Sequence, residues 1–534
     1  MMFVKISNFR GLFSGLIVSI GSLICFHTSA QISQIRTFPL KEIAHASGDS
    51  IMHFPSAIAF DAPDSNGIIT KKILVSWGIN KDDASLFPKS GWKSSVNGGL
   101  TFGRALAEPN ISFLNAIKLR NGKIITIPFK LNDRPTNETV FTFSYHTSTD
   151  NGITWRKHPD GRVDFGTTAV KGIRLHRGII EENDGSLYCL GYGAFVGDKV
   201  SRVFILKSVD GGTSWTYFNT IAKDPVKVFN EATIVRCVNG SWLVVMRNES
   251  WKPLYYSRSA DKGVNWTQPK QLPGLPTNST PGDDLNESVD PHLLLMPNGI
   301  LVLSYGRPNL HLAFSEDGNG TNWSNITTTF VEVQNVLETS SYSVLLPVDA
   351  NRLFLIHDSG ANWSYPKEIL ATRPNPYSIL GGFVDVLRNE TNRIDLKNLY
   401  KQGKITVNTD MIYSNSNAPE TGISGAFDGS TDYWSGAFKS GRQASYVINL
   451  DQAYTITDIA LSLHIGNLQS AAIRFSTDGK KWTKPVLYKN RIHYAMEYKK
   501  LKVPVSSRYV KVDIDGVASM VSLNEIELYG TPKP

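Results

Sequence analysis

The sequence predicts an all-β protein with two domains, a six-bladed β-propeller followed by a β-sandwich. Three observations support this fold class. The chain has 534 residues, more than one ordinary domain requires. Its 43 Gly, 25 Phe, 20 Tyr and 11 Trp residues accompany alternating apolar stretches rather than helical runs. A short polar motif recurs about every 50 to 60 residues, which indicates a repeat architecture.

Composition and charge exclude several other classes of protein. Hydrophobic residues make up 41% of the chain and charged residues 19%, which excludes a disordered chain. The net charge is +8, but it is dispersed and lacks the basic runs of a nucleic-acid-binding arm. We therefore expect an acidic partner, such as an anionic glycan, and no nucleic acid. Beyond the first 30 residues, Cys189 and Cys237 are too few for a disulfide framework or a zinc cluster.

The first 30 residues have the features of a cleavable signal peptide. Lys5 and Arg10 precede the apolar run 11–25, and small residues end at Ala30, where we expect cleavage. The run is short for a membrane span, and no later segment is long enough for one. We predict a secreted or periplasmic (extracellular) protein with no membrane span.

The repeated motif predicts a tight hairpin turn. Its Asp or Asn side chain can accept hydrogen bonds from backbone N–H groups in the turn, and its Gly supplies a positive φ. The closing aromatic residue packs between neighbouring sheets. A second turn in each unit gives two hairpins, which together make one four-stranded blade. The full copies are 148–155, 208–215 and 259–266, the looser copies are 95–102 and 315–323, and the most degenerate candidate is 358–363.

About six such units close into a ring without exposed sheet edges, so we expect the repeated aspartates to be structural rather than catalytic. The motif resembles the Asp-box (BNR) repeat of the sialidase (neuraminidase) superfamily over roughly residues 40–385. The resemblance implies a six-bladed propeller, which we assign to residues 31–400. It is specific for the fold and not for the reaction, because such propellers carry several chemistries.

A second domain begins after a polar joint, and we assign it to residues 401–534. Its alternating segments suit a single β-sandwich. The phrases 426–434 and 523–530 resemble the coagulation-factor-type (F5/8 type C) discoidin domain, which is kin to galactose-binding carbohydrate modules. In that family the box-like segment 476–482 is a hairpin of the sandwich, so it is not counted as a blade.

The discoidin resemblance implies glycan binding and a structural Ca²⁺ ion. The positions that correspond to the family's ligands are Asp428, Asp432 and Glu525. Hard oxygen ligands suit calcium. The alternative is a turn capped by backbone N–H groups, without a metal.

One predicted hairpin places a carboxylate beside an arginine. Glu231 precedes an apolar strand, and Arg247 ends the returning strand. Arms of equal length bring both to one mouth of the ring; the alternative is a surface salt bridge. Arg307 shortly precedes the fifth box, and Tyr342 opens a later strand, where a packed rim tyrosine is the alternative.

The order Glu231, Arg247, Arg307 and Tyr342 resembles the order of functional residues in sialidases. The resemblance implies that Tyr342 is the nucleophile, Glu231 is its base, and the arginines clamp a substrate carboxylate. A neutral phenol avoids the repulsion that a carboxylate nucleophile would meet at a sialic acid. No cofactor is expected for catalysis. The general acid is expected from a loop before the first box, where the candidates are Asp82 and Asp83.

The resemblance fails at the first arginine of the clamp. His53 stands where that arginine belongs. Arg174 or Arg177 could compensate from a neighbouring blade, although both are equally candidates for rim residues. His53 could instead form a hydrogen bond with a neutral sugar hydroxyl, in which case the substrate is not an ordinary sialic acid.

These features predict a secreted, exo-acting and retaining glycoside hydrolase that removes a terminal acidic sugar from a glycan. The C-terminal module would raise its effective concentration on the polymer. Two alternatives remain. One is a propeller glycosidase or lyase that acts on a non-sialic sugar, such as a uronic acid or an arabinose-containing polysaccharide. The other is a non-catalytic glycan-binding or adhesion protein.

Overall fold

Strands form nearly all the regular structure of the chain. The computed structural model describes residues 32–45, 52–64, 67–79, 89–107, 109–131, 137–248, 253–275, 288–306, 309–330, 342–359, 378–412, 422–431, 436–463, 469–491, 495–517 and 520–533. The predicted signal peptide lies outside these residues, as do four of the six residues of the 358–363 candidate box, all but Asp358 and Ser359.

Many strands of the first domain are continuous apolar runs buried on both faces, which suits sheets packed face to face on either side. In chain order they are β1 (Ile32–Thr37), β2 (Lys41–His45), β3 (His53–Pro63), β4 (Ile69–Gly78), β5 (Ser90–Ser95), β6 (Asn115–Lys118), β7 (Ile124–Ile127), β8 (Asn137–Glu138), β9 (Val140–Ser148), β10 (Arg156–Asp164), β11 (Val170–Glu181), β12 (Leu187–Phe195), β13 (Arg202–Ser208), β14 (Ser214–Ala222), β15 (Phe229–Arg236), β16 (Trp242–Asn248), β17 (Tyr255–Ser259), β18 (Lys270–Gln271), β19 (Val289–Leu295), β20 (Leu301–Gly306), β21 (Leu310–Ser315), β22 (Ser324–Phe330), β23 (Ser343–Pro347), β24 (Arg352–Ser359) and β25 (Ser378–Arg388).

These strands form six antiparallel blades among the described residues. Blade 1 is β3-β4-β5, blade 2 is β6-β7-β9-β10, and blade 3 is β11-β12-β13-β14. Blade 4 is β15 to β18, and blade 5 is β19 to β22. Blade 6 is β23-β24-β25 with β1 at its outer edge, so the start of the chain completes the last blade. The fold is the predicted six-bladed propeller.

The innermost strands close the ring. Contacts join β3 to β6, β6 to β11, β11 to β15, β15 to β19, β19 to β23, and β23 back to β3. Six hydrophobic clusters fill the spaces between successive blades; the one between blades 3 and 4, for example, buries Trp242 and Phe229. Burial of these side chains holds the blades together, at about 25 cal/mol per Å² of apolar surface.

The Asp-box turns have the predicted hydrogen bonds. In blade 2 the Ser148 Oγ donates to Asp150 at 2.7 Å, and the Asp150 carboxylate accepts from Thr154 N at 2.9 Å. Gly152 has φ of 78°, which its lack of a side chain makes accessible. The sixth candidate box is wrong, because Asp358 lies in β24, the second strand of blade 6, where its carboxylate accepts from Phe54 N at 3.0 Å.

The second domain is a β-sandwich preceded by one short helix, α1 (Leu396–Lys401), and containing a 3-10 helix, Gly422–Phe427. Its sheet order is β27-β32-β28-β31-β29-β30, with β26 paired to β28. The box-like segment 476–482 joins β29 to β30, as predicted. The strands are β26 (Thr406–Thr409), β27 (Ala437–Ser440), β28 (Gln443–Leu463), β29 (Gln469–Ser476), β30 (Val486–Arg491), β31 (Glu497–Gly516) and β32 (Met520–Pro532).

The sandwich docks on the turns of blade 5. Met496 N donates to Pro297 O at 2.7 Å, and the Arg388 guanidinium lies 3.5 Å from the centre of the Tyr498 ring. Gly299 permits this approach, because a Cβ at that position would lie 2.2 Å from the Met496 carbonyl oxygen. The β19–β20 turn that carries Gly299 is at the opposite end of β19 from Asp290, so the sandwich and the cavity described below lie on opposite faces of the propeller.

Candidate active site

A cavity of about 880 Å³ opens at the mouth of the propeller. The mouth is the face at which the innermost strands β3, β15, β19 and β23 begin. It extends from the ring axis across blade 2. Its floor near the axis carries His53, Phe54, His176, Glu231 and Tyr342. The ring closure therefore brings side chains from four parts of the chain into one pit.

The backbone at this mouth departs from regular strand geometry. Four innermost strands have register shifts, and each shift carries a non-glycine residue with positive φ: Phe54 at 52°, Arg177 at 43°, Glu231 at 23° and Asp290 at 40°. Such conformations cost on the order of 1–3 kcal/mol each. A bulge redirects the side chain that it carries. The packing of the ring thus holds these residues in a strained arrangement that aims them towards their neighbours across the axis.

Tyr342, Glu231 and Arg247 form one buried hydrogen-bonded chain. The Tyr342 hydroxyl donates to Glu231 Oε1. Arg247 Nη1 donates to both oxygens of the same carboxylate, at 2.9 and 3.0 Å. The Glu231 and Arg247 side chains are 8% and 12% exposed, so this pair is not a surface salt bridge.

The electrostatics of this chain keep the proton on the phenol in the free protein. Burial opposes ionisation of Glu231, but Arg247, His176 and the Tyr342 hydroxyl outweigh it and lower the pKa of Glu231. Burial, followed by the charges of Glu231 and Asp290, raises the pKa of Tyr342 well above its ordinary value. An ionised carboxylate therefore accepts a hydrogen bond from a neutral phenol, the arrangement of a base beside a nucleophile.

Asp290 organises the other side of the pit. Its carboxylate accepts from Arg177 Nη2 at 2.6 Å and from Ser343 N at 3.3 Å, and it lies 3.3 Å from His176 Nε2. Its backbone N–H donates to Glu231 Oε2 at 3.3 Å. Because Ser343 follows Tyr342, Asp290 ties the backbone beside the phenol to two cationic or ionisable side chains of blade 3.

The structure separates the two arginines that were candidates to compensate for the missing clamp residue. Arg177 is 3% exposed and paired with Asp290, and its Nη1 donates to Ser343 O at 2.5 Å, so it does not line the cavity. Arg174 does line the cavity, with its guanidinium 5.7 Å from the centre of the Phe129 ring. His53 lines the cavity and is 3% exposed. The expectation that Arg177 could bind substrate is therefore wrong, because Asp290 already compensates its charge.

Three predicted catalytic or substrate-binding residues lie outside the described residues. They are Asp82, Asp83 and Arg307. The general acid and the third arginine therefore stay predictions.

The cavity wall is rich in positive charge. Lys89, Lys130, Lys157 and Arg174 line it, whereas Glu231, whose charge Arg247 compensates, is the one carboxylate among the described lining residues. A wall of this sign attracts anionic ligands.

Comparisons with known proteins decide the family of each domain. The model of the BNR repeat-like domain matches residues 112–372, and that of the F5/8 type C domain matches residues 405–526. The chain is a BNR-repeat propeller joined to an F5/8 type C domain. A sequence search of curated proteins returns no match.

Solved structures with a similar fold include three glycan-acting proteins. The Hadza microbial sialidase Hz136 is 14% identical over 63% of this chain and 66% of its own, with a TM-score of 0.43. A Penicillium chrysogenum alpha-L-arabinanase is 14% identical over 66% of this chain and 100% of its own, with a TM-score of 0.45. A Trypanosoma rangeli sialidase is 13% identical over 92% of this chain and 97% of its own, with a TM-score of 0.39.

No helix within the described ranges is both long and apolar enough to traverse a bilayer.

In the F5/8 type C domain, two of the three predicted calcium ligands lie close together. Gly429, the residue that follows Asp428, donates its backbone N–H to Glu525 Oε2 at 3.1 Å. Glu525 is 1% exposed, and its Oε1 accepts no hydrogen bond from a described residue, although Arg393 Nη2 lies 3.9 Å away. Asp432 lies outside the described residues, and no group of three metal-ligating side chains occurs within them. A buried, incompletely satisfied carboxylate oxygen beside a second carboxylate fits a hard cation.

Sequence reasoning missed two residues of the BNR propeller site, His176 and Asp290. His176 is 1% exposed and Asp290 is fully buried. Asp290 lies near the start of β19, as Glu231 lies near the start of β15. This equivalent position in the next blade is the sequence signal that could have identified Asp290. His176 had no comparable signal, because it lies in the middle of a long strand.

Proposed function

We propose that the BNR propeller is a retaining glycoside hydrolase in which Tyr342 is the nucleophile and Glu231 is its base. The observation that carries the proposal is the buried hydrogen bond from the Tyr342 hydroxyl to Glu231, whose carboxylate Arg247 fixes on both oxygens. A free phenol is a weak nucleophile near neutral pH, because its pKa is about 10. A positioned carboxylate that accepts the phenolic proton as the new bond forms removes this obstacle.

In the proposed reaction the Tyr342 oxygen attacks the anomeric carbon, and its proton passes to Glu231. The glycosidic C–O bond breaks, and the leaving oxygen takes a proton from a general acid, for which Asp82 and Asp83 remain the candidates. Water then attacks the anomeric carbon of the tyrosyl-linked sugar and gives a proton to the carboxylate left on the general acid. The bond from that carbon to the Tyr342 oxygen breaks, and the phenolate recovers its proton from Glu231. Two displacements at one carbon retain its configuration.

We infer that the substrate presents a terminal acidic sugar. Arg174 and Lys130 support this inference, since they pair across a backbone bridge between blades 2 and 3 and both line the cavity. An arginine beside a lysine can hold a carboxylate. His53, at the start of β3 in blade 1, also lines the cavity and suits a sugar hydroxyl.

The pairing of Arg177 with Asp290 supports a second candidate, a glycosidase or lyase for a non-sialic sugar. Among the described residues, both Arg247 and Arg177 already bind carboxylates of the protein. Neither is available as it stands to clamp a substrate acid, so a uronic acid or an arabinose-containing polysaccharide is a reasonable substrate. The adhesion alternative would have no turnover.

We propose that the F5/8 type C domain binds glycan, that Asp428 and Glu525 hold a structural Ca²⁺ ion, and that the protein is exported. The ion would supply charge compensation and rigidity to the turn that carries Asp428, without a part in the reaction. Docking of the sandwich on the face opposite the cavity supports a role in attachment to the polymer rather than in catalysis.

The test is hydrolysis of a panel of sialosides, uronic-acid oligosaccharides and arabino-oligosaccharides, with product analysis. We expect Tyr342→Phe and Glu231→Gln each to lower kcat/KM by at least about 100-fold, the usual scale of a positioned acid or base. Turnover of sialosides would support a sialidase, and turnover of only the other sugars would support the second candidate. Unchanged activity in either variant, or no turnover of any substrate by the wild-type protein, would contradict the proposal.

Two matched variants control for folding. Tyr217→Phe removes a hydroxyl that contacts Thr220 on the outer strand of blade 3. Glu182→Gln alters a buried glutamate that Arg236 and Lys262 neutralise, away from the cavity. Both should leave kcat/KM within about twofold of the wild-type value, because neither side chain lines the cavity.

A further inference from the structure

The cavity is much longer than the reaction centre requires. Its inner end holds Glu231 and Tyr342, and its lining continues over β7 and β9 of blade 2 to reach Lys157 on β10. Three strand spacings separate β6 from β10, a distance of roughly 14 Å at about 4.8 Å each. A single terminal sugar held at Tyr342 would leave this outer end unused.

The outer end has the chemistry of an anion site. Lys157 and His146 are directly opposite each other on β10 and β9, and both line the cavity. Lys157 has no ion-pair partner among the described residues. Ser144, two residues from His146 and therefore on the same face of β9, adds an exposed hydroxyl to the lining.

His146 contributes as a neutral group. Burial, followed by the charges of Lys157 and His158, lowers the pKa of its imidazole. An uncharged imidazole can donate to or accept from a sugar hydroxyl while Lys157 supplies the charge.

We propose that Lys157, His146 and Ser144 form a separate subsite for a second, anionic sugar residue of the glycan whose terminal residue is bound at Tyr342. The anionic group is a carboxylate or a sulfate ester. The subsite rests on the proposed function for the direction of the glycan, but its binding is measurable without turnover. It makes the preferred substrate an acidic oligosaccharide or polysaccharide rather than a simple glycoside.

The experiment is calorimetric titration of the full-length Tyr342→Phe protein, in which turnover is blocked. The probes are oligogalacturonates of one, two and three residues and sulfated galactan oligosaccharides of the same lengths. Methyl-esterified and desulfated oligomers serve as neutral counterparts. The two anionic series distinguish a carboxylate from a sulfate.

We expect at least one anionic series to bind about fivefold to tenfold more tightly as it lengthens beyond one residue, the scale of the net gain from one ordinary hydrogen bond. Adding Lys157→Met should remove that gain, and adding Lys157→Arg should keep most of it. Lys270→Met is the matched control, because Lys270 is an exposed lysine on the outermost strand of blade 4 and does not line the cavity. These differences between variants also isolate the cavity from glycan binding by the F5/8 type C domain.

The proposal fails if neither series gains affinity with length, if the neutral oligomers gain as much, or if Lys157→Met leaves the gain intact. Its failure is distinct from that of the proposed function. A Tyr342→Phe protein that still hydrolyses substrate contradicts the nucleophile but not the subsite. Loss of the length effect contradicts the subsite but not the nucleophile.

Discussion

The two faces of the propeller use carboxylates in opposite ways. On the Asp-box face, Asp150 and Asp210 lie in exposed turns and accept hydrogen bonds from backbone N–H groups one turn away. At the cavity mouth, Glu231 and Asp290 are buried, lie on strained bulges, and bind arginines. The difference shows that residue type does not identify a reactive carboxylate. Burial and the charge of its partners do.

The largest expected effect tests the buried side of this comparison. Asp290→Asn should lower the free energy of unfolding by about 3–5 kcal/mol, because it leaves the buried Arg177 charge uncompensated. Urea unfolding followed by tryptophan fluorescence measures the change. Asp385→Asn is the control, since Asp385 forms an analogous pair with the partly exposed Arg352 and should cost under about 1 kcal/mol. Equal effects would remove the distinction between the two pairs.

A smaller effect on stability is expected from Ca²⁺ binding by Asp428 and Glu525, the pair of carboxylates in the F5/8 type C domain. If Asp428 and Glu525 hold calcium, an ion at 100 times its dissociation constant stabilises the fold by about 2.7 kcal/mol. We expect Ca²⁺ to raise the melting temperature by about 5 °C or more, and excess chelator to reverse the rise. Glu525→Gln should abolish the response. A melting temperature that is insensitive to Ca²⁺ in the wild-type protein would favour the metal-free capped turn.

A box aspartate should matter for stability and not for turnover. Asp210→Ala removes acceptors for Ser214 N at 2.9 Å and Thr213 N at 3.1 Å, and we expect it to cost about 1–2 kcal/mol. The kcat/KM of the folded variant should stay within about twofold of the wild-type value. A loss of activity as large as that of Glu231→Gln would show that the two faces are not functionally distinct.

The smallest expected effect is the loss of stability in acid. Burial opposes the charge of Asp150, but hydrogen bonds from Thr154, Ser148 and Ile153 prevail and lower its pKa to about 2. A hydrogen bond from the Lys227 side chain is the largest cause that lowers the pKa of Asp224 to about 2. Because both values lie below that of an unfolded aspartate, about 3.9, their stabilisation is complete above that pH and is lost as pH falls towards 2.

Thermal unfolding measured from pH 5 to pH 2 tests this sign. The melting temperature should fall steadily below about pH 4. Asp150→Asn should flatten the slope slightly, since one titrating group is removed. A melting temperature that rises in this range would contradict the assignment of these aspartates as hydrogen-bonded, ionised groups.

Local chemistry explains why the fold and part of the site were predictable. The box Gly residues and their Asp or Asn partners define turns within about eight residues, so Gly152 and Asp150 could be interpreted without the rest of the chain. The hairpin β15–β16 likewise fixes the pairing of Glu231 with Arg247, because Asn230 lies opposite Arg247 in its register. Asp358 misled the prediction, since it lies near the end of a blade strand rather than in a turn.

Contacts between distant strands explain what was not predictable. His176 meets Asp290 across the axis, and Arg177 is withdrawn from the cavity by the same carboxylate. Neither contact follows from spacing, because each depends on a bulge whose extra residue changes which side chains face the axis.

The sequence by itself determined the repeat, its turns, the aromatic residues between blades and the identity of the second domain, since each rests on chemistry within one hairpin or one short phrase. The tertiary structure alone decided which carboxylates are buried beside cations. Glu231 and Tyr342 stand 111 residues apart, and the ring of contacts between the innermost strands brings their blades together. Burial in that closed ring raises the strength of every charge interaction within it, which is why the mouth and the box face differ.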